Sequence, residues 1–230
     1  MKETPIIFNT EMVKAILEGR KIQTRRVIKR EYTHLEIFAH EPIERFSFYF
    51  RRKDARWDAF ETMDELAEKH CPYGKAGDLL WVRETFGFAW PDECENGMIY
   101  DGDHWDSGRP ITDQECNIVY RASEPDFLWM NEDTGEPVAM WKPSIHMPRW
   151  ASRITLKITD IRVERVQDIS EGDAQCEGWD LSYIPEGHAY DGTHHAIDWF
   201  HDLWNSINEK RGYGWDANPW VWVVHFMREE

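Results

Sequence analysis

PIIFNTEMVKAILEGRKIQTRRVI, residues 5–28, is the stretch on which the reading of the fold turns. Pro5 to Phe8 is an apolar run that reads as a short strand. Asn9 and Thr10 follow as cap candidates for a helix from about Glu11 to Glu18, because Val13, Ile16 and Leu17 recur on one helical face. Gly19 is placed to stop that helix in a left-handed conformation, which costs glycine no Cβ clash. Ile22 to Ile28 then read as extended. A strand, a glycine-stopped helix and a second strand therefore follow one another closely, with a cationic segment beginning at the stop.

Outward from this stretch, aromatic and charged residues loosen the pattern from about Glu31, and a helix is expected over Ala59 to Lys69. The turn residues Gly77-Asp78 lead into Leu79, Leu80, Trp81 and Val82, the strongest strand signal of the first half. Alternation puts Glu84 on the face of Leu80 and Val82, where a carboxylate either pairs with a cation or has a raised pKa. An acidic, Gly/Asp-rich region from Phe86 to Met140 carries one clear strand, Asn117 to Arg121. Ile154, Leu156, Ile158, Ile161 and Val163 alternate with polar residues across a break at Thr159-Asp160, which predicts a bulged strand or a hairpin. Ser170 and Asp173 form a capping pattern for a short helix from Glu171 to about Glu177, ended by Gly178. A second helix is expected over Ala196 to Asn208, with Ile197, Phe200, Leu203, Trp204 and Ile207 at helical spacing, and a last strand over Trp220 to Met227. Strands and helices are mixed without βαβ regularity, so the class is α+β, with an antiparallel or mixed barrel and peripheral helices.

At 230 residues and 41% apolar content the chain is long enough for one large core. Thirteen Trp residues are in excess; core and rim packing is their first use, and base stacking at one or two of them the second. The net charge of −16 opposes a broad nucleic-acid groove. Its distribution is uneven: Lys14, Arg20, Lys21, Arg25, Arg26, Lys29 and Arg30 face only Glu18 between positions 14 and 30, a local +6. The opening MKETPIIFNT lacks a signal-peptide core and no run approaches the roughly 18 apolar residues that cross a bilayer, so a cytoplasmic protein with no membrane partner is expected. Cys71, Cys94, Cys116 and Cys176 match neither a zinc pattern nor a disulfide framework and read as reduced thiols. His70 beside Cys71, and His194 beside His195, are adjacent residues that rarely converge on one ion, so no metal and no cofactor are expected.

The motif GRKIQTRR, Gly19 to Arg26, together with the order of elements, resembles the start of an ASCH domain, a PUA-like β-barrel fold. The GD turn with its strand, Gly77 to Val82, and the glutamate-bearing helix in DISEGDAQCEGW, residues 168–179, extend the resemblance. WVRET, PSIHMPRWASRITL and GYGWDANPWVWV are similar to longer ASCH members of bacteriophage and prophage genomes. The resemblance spans nearly the whole chain apart from about 31–70 and 86–140, which it marks as two insertions in one domain covering 1–230. It implies a modified nucleoside or RNA as partner, in a bacterial host or phage-infected cell. Small bacterial ASCH proteins hydrolyse N4-acetylcytidine with the lysine and threonine of K-x-x-T and a glutamate on the short helix, positions that fall here on Lys21, Thr24 and Glu177. The family also includes proteins proposed to bind or cleave RNA, so an RNA-binding module, a ribonuclease and a phage structural or assembly protein stay open beside a metal-independent amidohydrolase.

The residue chemistry allows such a site. A threonine hydroxyl attacks only when a base takes its proton, and a lysine serves as that base only with a lowered pKa. Arg20, Arg25 and Arg26, and burial, would push Lys21 that way. Glu177, in the last turn of its helix, meets the negative dipole end, which favours its acid form. The plainer alternative pairs Glu177 with an arginine of the basic segment and leaves Thr24 an ordinary strand residue. Lys21 and Thr24 are three apart, which in a regular strand places them on opposite faces, so the triad requires a turn or bulge near Arg20 to Ile22. Arg26 and Glu84 are candidates to hold a base edge and Trp81 to cover its face; His146, Arg149, Trp150 and Trp215 are further candidates near strand ends.

Overall fold

The structure is a computed structural model, and it describes residues 1–29, 36–40, 45–51, 57–60, 62–89, 117–131, 134–180 and 195–229. Cys94, Cys116, His194 and residues 90–116 of the second expected insertion lie outside the described residues. In chain order the elements are β1 (Glu3–Ile7), α1 (Thr10–Leu17), β2 (Gln23–Val27), β3 (Glu36–His40), β4 (Arg45–Arg51), β5 (Trp57–Phe60), α2 (Met63–His70), β6 (Leu79–Arg83), β7 (Phe86–Ala89) and β8 (Asn117–Tyr120). They continue with β9 (Trp129–Met130), β10 (Pro137–Val138), β11 (Thr155–Arg165), α3 (Glu171–Cys176), α4 (Ala196–Asn208) and β12 (Trp220–Arg228).

Five strands build the main sheet, in the order β1-β6-β11-β12-β2. β1 and β6 run parallel, and the other neighbours are antiparallel. The bulge expected at Thr159-Asp160 is present as a register shift between Ile158 and Asp160. The interior strand β12 explains the two-layer arrangement. Val221, Trp222, Val223 and Val224 are all buried, as a strand covered on both faces requires. Trp222, Val224 and Phe226 enter one core with Phe8, Val13, Leu80, Leu156 and Ile158. Val221 and Val223 enter a second core with Ala174, Trp179, Phe200 and Trp204 on the α3–α4 side.

Two expectations need correction. The sheet is not a closed barrel: β1 and β2 are its two edges, and instead of a ladder between them the Arg26 side chain donates from Nη2 to the Ile7 carbonyl at 2.7 Å. The helix expected over Ala59 to Lys69 begins later, at Met63, because Trp57–Phe60 pairs with β4 as a strand and Thr62 supplies the N-cap, accepting from Glu65 N. α2 also puts Leu66 and Ala67 into the main core. Its segment, marked as an insertion by the sequence, is therefore part of the central packing at its C-terminal end. The remaining strands form the β3-β4-β5 meander and the two-stranded pairs β7-β8 and β9-β10.

The two helices flanking the K-x-x-T segment begin and end as their capping residues dictate. Asn9 accepts from Met12 N at the start of α1, and Gly19 ends it with φ +77°. Ser170 accepts from Asp173 N at the start of α3, Glu177 is its C-cap, and Gly178 follows at φ +104°. Gly178 is also where the two helix ends meet, since a Cβ there would lie 3.0 Å from Ala15 Cβ and 3.1 Å from Lys21 Cβ. Left-handed backbone and close approach both demand glycine at this position. Gly178→Ala is predicted to lower stability by about 1–3 kcal/mol in urea unfolding, whereas Gly172→Ala, inside α3 with open space around it, raises it by roughly 0.5–1 kcal/mol. Equal effects of the two substitutions would contradict this account of the helix junction.

Candidate functional site

Past Gly19 the chain does not enter β2 directly. Arg20 N and Lys21 N both donate to the Ala15 carbonyl, Ile22 N donates to the Cys176 carbonyl, and Lys21 pairs with Glu177 as an isolated antiparallel bridge. β2 starts only at Gln23. This is the break that the three-residue spacing of Lys21 and Thr24 requires, and it places Lys21 outside the alternation of the strand.

Within β2, register assigns the faces, because residues directly opposite in an antiparallel pair share one side. Thr24 lies opposite Val224 and Arg26 opposite Trp222, on the main-core side; Arg25 lies opposite Val223, on the α3–α4 side. Glu177 reaches this edge strand from the end of α3. Its Oε2 accepts from Lys21 Nζ at 2.7 Å, its Oε1 accepts from Arg25 Nη1 at 3.1 Å, and its carbonyl accepts a second bond from Lys21 Nζ at 2.7 Å. Lys21, Arg25 and Glu177 are all buried. Arg25 also bonds Glu164, with Nη2 2.5 Å from Oε1, and lies 3.4 Å from Asp173. Arg162 bonds Glu164 at 3.0 Å and Asp173 at 2.8 Å, and its Nη1 also contacts His225 Nε2. Three cations, Lys21, Arg25 and Arg162, thus interlock with three carboxylates, Glu164, Asp173 and Glu177.

The network backs a cavity of about 230 Å³ along the outer edge of β2. Thr24, Arg25, Arg26 and Glu177 line it from the strand and α3, Tyr73 from the loop after α2, and Phe200, Leu203 and Trp204 from α4. Lys29, Arg211 and Tyr213 also line it. Lys21 does not; it stands directly behind Glu177. Burial pushes the Lys21 ammonium below its ordinary pKa against the opposing charge and hydrogen bond of Glu177, and Arg26 and Arg25 add to the lowering.

The sequence candidates thus separate into two groups. Lys21, Thr24, Glu177, Arg25 and Arg26 come together. Arg20 does not join them: it pairs with Glu18 and donates to the carbonyls of Gly178 and Trp179, fastening the α3 end. Glu84 is buried on the face expected for it, but it is held by both Nε and Nη2 of Arg153 at 3.0 Å and does not line the cavity. Trp81 is flanked by the guanidinium groups of Arg83 and Arg149 at 5.5 and 5.9 Å, and Arg149 pairs with Glu3, all apart from the cavity lining. His146 is exposed on a short 3-10 turn, Trp150 stacks on Phe88, and Trp215 packs on Phe200 and His201. The sequence did not single out Tyr73, Tyr213 or Arg211. The α4 residues were visible only as an apolar helical stripe, which serves here both as core and as cavity wall.

Cys71 and Cys176 are free thiols, and burial pushes Cys71 up to about 11. Among the described residues no group of three or more His, Cys, Asp and Glu side chains is placed to hold a metal ion. No described helix is long and apolar enough to cross a membrane.

No protein-family model and no curated protein matches the chain. Among solved structures the chain is similar to an ASCH domain from Lactobacillus crispatus JV V101, at 11% identity and a TM-score of 0.38, over 99% of this chain and 79% of that one.

The network behind the cavity has a titration signature. Burial, and then the Arg162 charge, lower the pKa of His225 from 6.5. Below that value the unfolded chain binds a proton that the folded one refuses, so stability falls as pH drops from 6.5 towards the folded pKa. The histidine resonances of residue 225 are expected to titrate below 6.5 in NMR, and His225→Gln is expected to flatten the stability profile between about pH 5 and 7. A folded-state midpoint at or above 6.5 would contradict the assignment.

Proposed function

We propose that the chain is an ASCH-type protein whose cavity binds an N4-acylated cytosine nucleoside, or a close relative, and hydrolyses its acyl amide. The observation that carries this reading is that Thr24 and Glu177 line one cavity while Lys21, buried behind it, is hydrogen-bonded to Glu177 at 2.7 Å. The same three positions carry the resemblance of the K-x-x-T motif and the glutamate helix. A volume of about 230 Å³ lies below the roughly 300–1,000 Å³ of drug-sized sites, which suits a single base or nucleoside. The aromatic groups of Tyr73, Phe200, Trp204 and Tyr213 offer the base an apolar wall, in place of the Trp81 expected from sequence.

In this reading the Thr24 hydroxyl attacks the acyl carbonyl, and its proton passes to the Lys21–Glu177 pair, whose carboxylate is the member that lines the cavity. Lys21 and Arg25 fix that carboxylate from two sides. Collapse of the tetrahedral adduct breaks the bond to N4, which takes the proton back from the pair and leaves as the free amine of cytosine. Water then attacks the acyl-threonine ester and gives its proton to the same pair. Collapse of that second adduct breaks the threonine ester, the Thr24 oxygen takes the proton back from the pair, and acetic acid leaves and ionises to acetate in solution.

Purified protein incubated with N4-acetylcytidine in EDTA is expected to release cytidine and acetate. Thr24→Ala abolishes turnover, Thr24→Ser retains part of it, and Glu177→Gln lowers kcat/KM by about 10²–10⁴-fold. Because Lys21 is held below its ordinary 10.5, the rate is expected to rise with pH through an apparent pKa under that value. Full activity in Thr24→Ala would remove the nucleophile assignment. RNA cleavage that disappears in Lys21→Ala, without acetylcytidine turnover, would replace the amidohydrolase with a ribonuclease.

A further inference from the structure

Arg25 touches every carboxylate of the interlocked network. Its Nε and Nη2 donate to Glu164 Oε1 at 3.0 and 2.5 Å, its Nη2 lies 3.4 Å from Asp173 Oδ2, and its Nη1 donates to Glu177 Oε1 at 3.1 Å. A guanidinium is a rigid plane, so one edge held on Glu164 fixes the direction in which Nη1 points, and Glu177 lies in that direction. Glu164 is itself fixed through its other oxygen. Arg162 donates from Nε to Glu164 Oε2 at 3.0 Å and from Nη2 to Asp173 Oδ2 at 2.8 Å. Two residues of β11, Arg162 and Glu164, therefore set an arginine of β2, and that arginine sets the glutamate at the end of α3.

Charge runs along the same chain of contacts. Glu177 faces two cations, Lys21 and Arg25, and a carboxylate under two uncompensated positive charges is a poor proton acceptor. Glu164 and Asp173, on the far edge of Arg25, offset the charge of that arginine. Neither Glu164 nor Arg162 lines the cavity, so whatever they contribute reaches the ligand only through Arg25 and Glu177.

We infer that Glu164, held by Arg162, is a positioning residue: acting through Arg25, it aims the Glu177 carboxylate and sets the pH at which the Lys21–Glu177 pair takes up a proton. The chemistry done by the pair rests on the proposed function; the coupling of Glu164 to the pair rests on the hydrogen bonds alone. The other charged and titratable groups facing the pair are Arg26 from β2, Arg20 bonded to the Gly178 carbonyl, Asp173 and Cys176 from α3, His225 from β12 and Tyr73 from the loop after α2. Lys29 and Arg211 line the cavity beyond it. The sign of the coupling follows. Removing the Glu164 charge leaves Arg25 less compensated, so the pair gives up its proton at lower pH; removing the Arg162 charge leaves Glu164 and Asp173 less compensated and moves the pair the opposite way.

The test compares wild type with Glu164→Gln, Arg162→Gln and the double variant in the full-length protein, by NMR titration of the 15N-labelled Lys21 ammonium and by the pH profile of kcat on N4-acetylcytidine. In Glu164→Gln both midpoints are expected to fall by about 0.5–1.5 on the pH scale, and kcat by about 10–100-fold with KM little changed. Arg162→Gln is expected to raise the midpoints by a smaller step, and the double variant to bring them back to within about 0.3 of wild type. A merely structural role lowers urea stability and moves neither midpoint. Midpoints that stay within about 0.2 of wild type, or that move the same way in both single variants, overturn the inference; turnover by wild type then leaves the proposed function standing. Opposite shifts of the Lys21 titration in a protein that does not turn over N4-acetylcytidine support the coupling and sink the proposed reaction. Should Glu164→Gln fail to fold, Arg162→Gln, at a side chain 29% exposed, carries the test alone. A midpoint that stays or falls there overturns the inference, and Arg162→Lys, which keeps the charge, is expected to restore the wild-type value.

Discussion

A buried lysine bonded to a buried glutamate sets the terms for the rest of this molecule. Taking either charge out of water costs several kcal/mol, which mutual attraction offsets only when the geometry is good and the remaining donors and lone pairs are satisfied. Here the Lys21 ammonium donates both to the carboxylate and to the carbonyl of Glu177, and Arg25 takes the second carboxylate oxygen. Those bonds exist only if the end of α1 and the end of α3 lie against each other. Gly178 permits that contact, and the bridge between Lys21 and Glu177 registers it.

The same junction carries the charged network across one face of the sheet: Arg25 on β2 and Arg162 and Glu164 on β11 meet over the intervening strand β12, on the side of Val221 and Val223 that faces α3. β2, as an edge strand, has one free side, and there its alternating residues serve different neighbours. Arg25 turns to the carboxylates of α3 and β11, while Thr24 and Arg26 turn to the side of Phe8 and Trp222. The cavity runs along that free side, with α4 as its far wall. A closed barrel would have hydrogen-bonded this edge and removed the space; the Arg26 side chain bridges to β1 where a ladder would otherwise form.

Much of this was legible in the sequence where the signal is local. Glycine stops after α1 and α3, the Ser170 cap, the apolar alternation of β6 and β11 and the bulge at Asp160 are all set by neighbours a few positions away. Lys21, Thr24 and Glu177 were singled out by the resemblance of the K-x-x-T segment and the glutamate helix, and of these the structure joins Lys21 to Glu177 by a hydrogen bond. What failed depends on which distant segments meet. Trp81 lies in β6, between β1 and β11, and its ring is flanked by Arg83 and Arg149; nothing in WVRET states that its strand is three places from β2 in the sheet. Glu84 was rightly placed on the buried face, but its partner Arg153 lies 69 residues away. Tyr73, Tyr213 and Arg211 carry no pattern of their own, because only the packing of α4 and its following turn against β2 makes them a wall.

Whether the Lys21–Glu177 pair organises the site, as opposed to being two independently tolerated buried groups, is settled by a double-mutant cycle on stability. Lys21→Met, Glu177→Gln and the double variant are compared with wild type in urea unfolding. Glu177→Gln leaves the buried Lys21 charge without its carboxylate and is expected to cost about 3–5 kcal/mol; Lys21→Met is expected to cost less, because Arg25 still holds Glu177 Oε1. The double variant is expected to cost less than the two together, by about 1–3 kcal/mol. Additive losses, within about 0.5 kcal/mol, would show that the pair is not the constraint on which the junction and its cavity depend.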